Sequence, residues 1–356
     1  MSERARLLHD SPWQGVVNLT GGGAGLLSEL LAEAGASRTL IEARIPYAQA
    51  SLDALIGGHP DQACSAPTGR ALAMAAFQRA QCFGARPAFG FGVTASLATE
   101  RPKRGPCRAH LAVQTLDRTT QTKVELQGER ADQEAALVDF AWQALLESLA
   151  LSDPPRACLE QVAAPDEWQA LVAGDRRSAL APQNPALILC GSFNPLHDGH
   201  RRMMAVAEAR LGQAGTFELS VENPDKPLLD YIEIQQRLAQ FQGKVCLTRL
   251  PAFRDKAMEF PGATFAVGID TLLRIADARY YGGEAQRDAA VADLLDAGAS
   301  FLVFGRLVDG AFQGLSDAPL PQALRRACTE VPEAEFRADV SSTELRRRTT
   351  PDPPAA

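Results

Sequence analysis

The sequence is short of the residues that most often carry chemistry. Its 356 residues include five histidines and five lysines, and aromatic residues make up 6%. With so few lysines, the positive charge rests almost wholly on arginine, whose forked donors suit phosphate. Seven cysteines (Cys64, Cys82, Cys107, Cys158, Cys190, Cys246 and Cys328) stand without a CxxC pair or a close cluster. This excludes a disulfide framework and a zinc knuckle, and it reads as reduced thiols in a cytosol. No apolar run reaches the roughly 18 residues of a membrane span, so no membrane partner is expected. Residues 1–12 lack the apolar core of a signal peptide, and the expected compartment is the cytoplasm. The basic excess that a nucleic-acid binder needs is missing too: the net charge is -7.

What is present is an ordinary globular composition, 46% apolar and 22% charged. The length suggests two domains. Residues 1–150 alternate apolar runs with helical spacings, beginning with a strand at 14–20, a glycine-rich turn and a leucine-spaced helix. Residues 151–184 change texture, with Asp153-Pro154-Pro155, Pro165, Gly174 and Asn184-Pro185, and read as a connector. Residues 185–356 restart with an apolar strand at 186–190. Strands and helices then alternate, which implies βαβ units and a parallel sheet covered on both faces. The expected class is α/β: a doubly wound, Rossmann-like C-terminal domain behind an N-terminal α/β domain.

The densest signal follows the strand at 186–190. It reads Gly191-Ser192-Phe193-Asn194-Pro195-Leu196-His197-Asp198-Gly199-His200 and runs into a helix. Gly191 permits close backbone approach where a strand ends. Asp198 is the expected N-cap, with Gly199 and His200 in the first turn. A helix N-terminus favours phosphate, and two imidazoles beside it add donors for charge developing on a phosphoryl group. A chance match to G-x-F-x-P-x-H-x-G-H in a chain this long is on the order of 10⁻⁶–10⁻⁵. His197 and His200 also offer two zinc ligands, but no cysteine or acidic partner stands at a usual spacing.

This segment resembles the HxGH nucleotidyltransferase superfamily, whose members include nicotinate/nicotinamide mononucleotide adenylyltransferase, phosphopantetheine adenylyltransferase and cytidylyltransferases. A second match, Val340-Ser341-Ser342-Thr343-Glu344-Leu345-Arg346, resembles the superfamily's (I/V)SSTxxR motif. Ser341 and Glu344 are equally spaced as a capping box. Gly268-Ile269-Asp270-Thr271 resembles the GxDT segment of the pyridine mononucleotide enzymes, with Asp270 alternatively a plain N-cap. The resemblance implies attack of a substrate phosphate or hydroxyl on the α-phosphate of a magnesium-bound nucleoside triphosphate. It makes His197 and His200 the catalytic pair, His200 nearest the transferred phosphate. Nucleotide and phosphate contacts fall to Gly191, Ser192, Phe193, Asn194, Gly199, Gly268, Asp270, Ser341, Ser342, Thr343 and Arg346. Lys226 falls in a substrate-side loop, where a solvated lysine is the plain alternative. The expected reaction joins AMP from ATP to nicotinamide or nicotinate mononucleotide, with Mg²⁺ carried by the ATP and no resident metal. Phosphopantetheine or a sugar or polyol phosphate are alternative acceptors.

Residues 14–150 resemble the C-terminal domain of CinA-type proteins, which act as nicotinamide mononucleotide deamidases. The resemblance rests on Leu19-Thr20-Gly21-Gly22, on Arg70-Ala71-Leu72-Ala73-Met74-Ala75 and on Phe91-Gly92-Val93-Thr94. Two departures matter. The family's serine nucleophile corresponds to Asn18, and its lysine, a few residues after the counterpart of Tyr47, falls near Leu52. Neither residue can act as hydroxyl nucleophile or base, so a non-catalytic domain is expected. Thr20 and the glycines after it still make a turn suited to phosphate, which keeps mononucleotide sensing open beside a purely structural role. CinA-type domains self-associate, which implies a homo-oligomer.

Overall fold

The computed structural model describes residues 2–100, 105–152, 158–180, 184–223, 226–243, 245–308 and 311–337. The chain divides into two compact units. The first comprises Met1–Ala173 with Glu222–Gln235, and the second Gly174–Val221 with Gln236–Ala356.

The first unit runs α1 (Glu3–His9), β1 (Gln14–Thr20), α2 (Gly25–Ala32), β2 (Leu40–Arg44), α3 (Gln49–Ile56), α4 (Ala66–Cys82), β3 (Ala88–Ser96), β4 (Arg108–Gln114), β5 (Arg118–Glu125), α5 (Arg130–Ser148), β6 (Glu160–Ala163) and α6 (Asp166–Ala173). Its sheet has the order β2-β1-β3-β4-β5-β6. β1 lies parallel to β2 and β3, while the pairs from β3 through β6 are antiparallel. One face buries Val17, Leu19, Phe89, Phe91 and Val93 against Leu137, Trp142 and Leu145 of α5. On the other face α4 packs backbone to backbone on β3. A Cβ at Gly90 or Gly92 would sit 2.1 Å from the Ala73 carbonyl oxygen or 2.3 Å from that of Gly69. The alternating glycines of AFGFGVT therefore set the helix–sheet distance.

Within 151–184, read above as connector, Glu160–Ala163 is the outer strand of this sheet and Asp166–Ala173 a helix with Trp168, Leu171 and Val172 buried. The apolar spacing around Trp168–Val172 marks the helix in the sequence, while the strand is concealed because it is short and exposed along most of its length. A second surprise is Glu222–Gln235, which the alternating pattern assigns to the second half. Arg70, 3% exposed, holds it by donating to Asp230 at 2.9 Å and Glu233 at 3.0 Å.

The second unit contains β7 (Ser178–Ala179), β8 (Leu187–Cys190), α7 (Asp198–Leu211) and β9 (Gly215–Ser220). Helix α8 (Tyr231–Leu238) starts in the first unit and ends in the second, and is followed by β10 (Val245–Thr248), α9 (Phe253–Glu259), β11 (Thr264–Gly268), α10 (Ile269–Ala276), α11 (Glu284–Asp296) and β12 (Ser300–Phe304). A short hairpin, β13 (Arg306–Val308) and β14 (Ala311–Gln313), precedes α12 (Gln322–Arg326) and β15 (Cys328–Val331). The sheet order is β15-β12-β11-β8-β9-β10-β7, parallel except for β7 on the edge. From β8 the chain first builds outward through β9 and β10. It then returns to the other side of β8 with β11, β12 and β15. That reversal places a topological switch point between β8 and β11, and in doubly wound sheets ligands bind outside the carboxyl ends of the strands there.

Candidate functional site

The loop leaving β8 is built from the core outward. Leu187, Ile188 and Leu189 are buried and bring the strand to its end at Cys190. Phe193 then turns inward at 1% exposure, packing edge-on against Phe217 at 5.5 Å and Phe241 at 5.2 Å. Its backbone has φ 44°, a left-handed conformation that a bulky residue adopts only when its surroundings hold it. A Cβ at Gly191 would stand 2.8 Å from the Phe193 ring, so glycine is required for this ring to fold back beneath the loop. Gln240 clamps the other side. Its Oε1 accepts from the Leu196 N–H at 2.7 Å, and its Nε2 donates to the Phe193 carbonyl at 3.1 Å. The Arg237 guanidinium donates to the Ser192 carbonyl at 2.8 Å. Sequence reading missed Gln240 and Arg237, because a polar residue near a helix end carries no motif.

The helix that follows starts one residue earlier in its capping than expected. His197, not Asp198, is the N-cap, and Asp198 is the first helical residue. The extended backbone of His197 suits the cap position, and the His197 N–H donates to Nδ1 of His200 at 3.3 Å. That bond makes Nδ1 an acceptor and so assigns the His200 proton to Nε2. The two rings stack with centroids 3.7 Å apart, and Phe193 braces His200 edge-on at 5.1 Å. Burial pushes the His200 pKa down to about 4, with the charge of His197 as a second cause. Burial also lowers that of His197, which Asp198 partly opposes. Both imidazoles are therefore neutral at pH 7, one N–H donor apiece. His197 Nδ1 is buried without a hydrogen-bond partner.

Gly268 and Asp270 lie at the carboxyl end of β11, the strand paired with β8 across the switch point. Gly268 is the N-cap of α10 and Asp270 its second residue, which corrects the expected N-cap role of Asp270. The Asp270 carboxylate accepts from Arg306, an ion pair in which both partners are about half exposed. Gly191, Ser192, Phe193, Asn194, His197, Gly199, His200, Gly268 and Asp270 thus share the ends of two adjacent strands. Ser341, Ser342, Thr343 and Arg346 lie outside the described residues. Among the described residues no group of three or more His, Cys, Asp or Glu is placed to hold a metal ion.

Lys226 falls in the first unit, exposed, beside a cleft of about 390 Å³ lined also by Arg44, Gly57, Gln78 and Arg79. Glu42 accepts from both arginines at 2.7 Å. At the expected phosphate turn of this unit the structure shows a carboxylate already seated. Glu134 accepts from the Gly23 N–H through both oxygens, at 2.9 and 2.8 Å, and lies 3.5 Å from the Gly25 nitrogen. The Thr20 hydroxyl donates to the Pro46 carbonyl at 2.8 Å. Asn18, 1% exposed, spends its amide on the Leu72 carbonyl at 2.9 Å. Leu52 packs with Ile56 and Leu72 in a small apolar cluster.

Residues 188–348 match the family described as Cytidylyltransferase-like. No curated protein sequence matches the chain. Solved structures similar to the N-terminal part include a competence or damage-inducible protein from Enterobacter asburiae, at 18% identity over 42% of this chain and 93% of that one, TM-score 0.35. A competence-damaged protein (CinA) superfamily protein from Enterobacter cloacae matches at 17% identity over 42% and 91%, TM-score 0.36. The competence/damage inducible protein CihA from Agrobacterium tumefaciens matches at 16% identity over 42% and 96%, TM-score 0.34.

Proposed function

We propose that the second unit transfers AMP from ATP to nicotinamide or nicotinate mononucleotide and releases pyrophosphate. The cytidylyltransferase-like match supports nucleotidyl transfer in general. The observation that carries the reading is the stacked, neutral His197–His200 pair at the start of α7, at the switch point of a parallel sheet. An oxygen of the acceptor's phosphate forms a bond to the α-phosphorus, and the α–β bridging bond breaks. Magnesium arrives with the triphosphate. No covalent enzyme intermediate is needed, so the protein's part is positioning and charge stabilisation. The Nε2–H of His200 supplies a donor to the transferring phosphoryl group, and the amino end of α7 supplies a partial positive charge.

The choice of a pyridine acceptor rests on the Gly268-Ile269-Asp270-Thr271 segment, on Val340–Arg346 as a motif, and on the CinA-like character of the first half. The family description gives a second reading some weight: CTP as donor, or another phosphorylated acceptor such as phosphopantetheine or a polyol phosphate. A panel of ATP and CTP against these acceptors, read as pyrophosphate released and dinucleotide formed, separates them. Product only with ATP and a pyridine mononucleotide is expected. Product only with another acceptor removes the substrate assignment, and no turnover with any pair removes the activity. For the first unit the geometry favours a non-catalytic role, since Asn18 and Leu52 are both committed to internal packing. Ammonia release from nicotinamide mononucleotide by the intact chain would overturn that.

A further inference from the structure

Beneath the loop that follows β8 lies a buried ion pair that the nucleotide reading does not use. Glu218 on β9 is 1% exposed and Lys256 on α9 is 4% exposed. Lys256 Nζ donates to Glu218 Oε1 at 2.6 Å, and the Thr248 hydroxyl donates to the same oxygen. The lysine also stands 5.9 Å from the centre of the Phe253 ring. In the parallel register Glu218 faces Cys190 on one side and Cys246 on the other. Cys190 stands opposite Glu218 in the register, and burial pushes its thiol pKa well up, with the nearby Glu218 charge as a second cause, so it stays protonated. The main-chain carbonyl of Glu218 accepts from the Gly191 N–H at 3.1 Å. One residue therefore stands beside the last residue of β8 and accepts from the first amide of the loop.

A buried pair of this kind stabilises a fold little, because desolvating two charges offsets most of their attraction. We propose that Glu218 and Lys256 are positioning residues. Glu218 stands beside Cys190 and holds the Gly191 amide, and Lys256 holds the Glu218 carboxylate in place. Together they set where residues 191–194 present their backbone to a nucleotide phosphate. The proposal rests on the nucleotide-binding reading of that loop.

The test uses the full chain and four variants: Lys256→Met, Glu218→Gln, Cys190→Ala, and the double variant Glu218→Leu with Lys256→Met. Three quantities are read: Tm, the Kd for magnesium–ATP, and amide exchange of a peptide spanning residues 191–196. Lys256→Met leaves a buried charge unpaired and should lower Tm the most, while the double variant recovers it. Binding should not recover with it. The double variant and Cys190→Ala are each expected to bind ATP about tenfold more weakly, because the end of β8 loses the neighbour that sets the loop's position. Exchange should quicken in 191–196 while β11 and β12 stay protected. If the double variant binds ATP as the parent does, or if binding and Tm fall and recover together, the pair is merely structural and the proposal fails. If the parent binds no ATP yet loop exchange still quickens in Cys190→Ala, the nucleotide reading falls and the positioning of the loop stands.

Discussion

Each unit contains a parallel strand that ends at glycine and hands the chain to a helix, and the two junctions are finished differently. After β1 the turn at residues 21–23 receives the Glu134 carboxylate of α5, so the amides before α2 are satisfied from within the unit. After β8 the loop is gripped from behind by Phe193, Gln240 and Arg237. The helix end there carries two neutral imidazoles, and His197 Nδ1 lacks a partner. A carboxylate of the same unit thus occupies the amide donor of the turn after β1. The side chains beside the junctions contrast less: Asn18 donates to Leu72 and leaves its buried Oδ1 without a partner, while His200 keeps an Nε2–H donor.

The largest effect that would break this contrast is at His200. His200→Ala should cut nucleotidyl transfer by about 10³-fold, as loss of one preorganised donor does, with Tm close to the parent. Retained turnover in a folded variant would remove the mechanism. Next comes acid. His200 is pushed from an ordinary 6.5 to about 4, and half-buried His110 of the first unit likewise, by burial first and then by Arg108, Lys123 and Arg70. The unfolded chain binds more protons than the folded one between those values. Stability is therefore full above about pH 6.5 and drains as pH falls towards 4. The loss is on the order of 2 kcal/mol at His200 and less at the more exposed His110, where solvent screens the effect. Thermal melts between pH 7 and pH 4.5 should show a shallower decline in His200→Asn. Parallel curves for parent and variant would contradict the burial argument.

Much of this was legible in the residues, for physical reasons that also mark the limits. Apolar runs such as Leu187–Cys190 and the alternating helices behind them reveal a parallel sheet because strands buried on both faces must be continuously apolar. The loop was legible because glycine, proline and two histidines occur there at fixed spacing. The true caps lie one residue before Asp198 and two before Asp270, because an aspartate near a helix start suits a cap as well as the first turn. Helix α9 was not read at all, and Lys256 on it pairs with Glu218 across residues far apart in sequence. Glu134, Gln240 and Arg70 were illegible for the same reason: each acts on backbone or side chains between 44 and 163 positions away. Only the folded arrangement brings such pairs together.

A smaller effect sharpens the description of the second junction. Gln240→Ala removes the acceptor for the Leu196 N–H and the donor to the Phe193 carbonyl together. The loop remains anchored by Phe193 in the core, so folding should survive. A drop of about tenfold in kcat/KM is expected, matching roughly 1.4 kcal/mol of lost positioning. An unchanged kcat/KM would mean that Phe193 alone sets the loop.

The smallest expected effect tests the first junction. Glu134→Ala strips the carboxylate from the Gly23 amide and should cost about 1 kcal/mol, the net worth of a hydrogen bond to a charged group reduced by the water that replaces it. The telling readout is the response to inorganic phosphate. In the parent the first unit should show no phosphate-dependent protection of residues 20–25 in amide exchange, because Glu134 holds that position. In Glu134→Ala the amides before α2 face solvent at a helix amino end, and phosphate should slow their exchange and raise Tm in proportion to the logarithm of its concentration. Protection by phosphate in the parent as well would show that the carboxylate yields to a ligand, and the two junctions would then differ in degree only. No response in either would mean that the turn lacks the geometry for an anion, whatever sits in it.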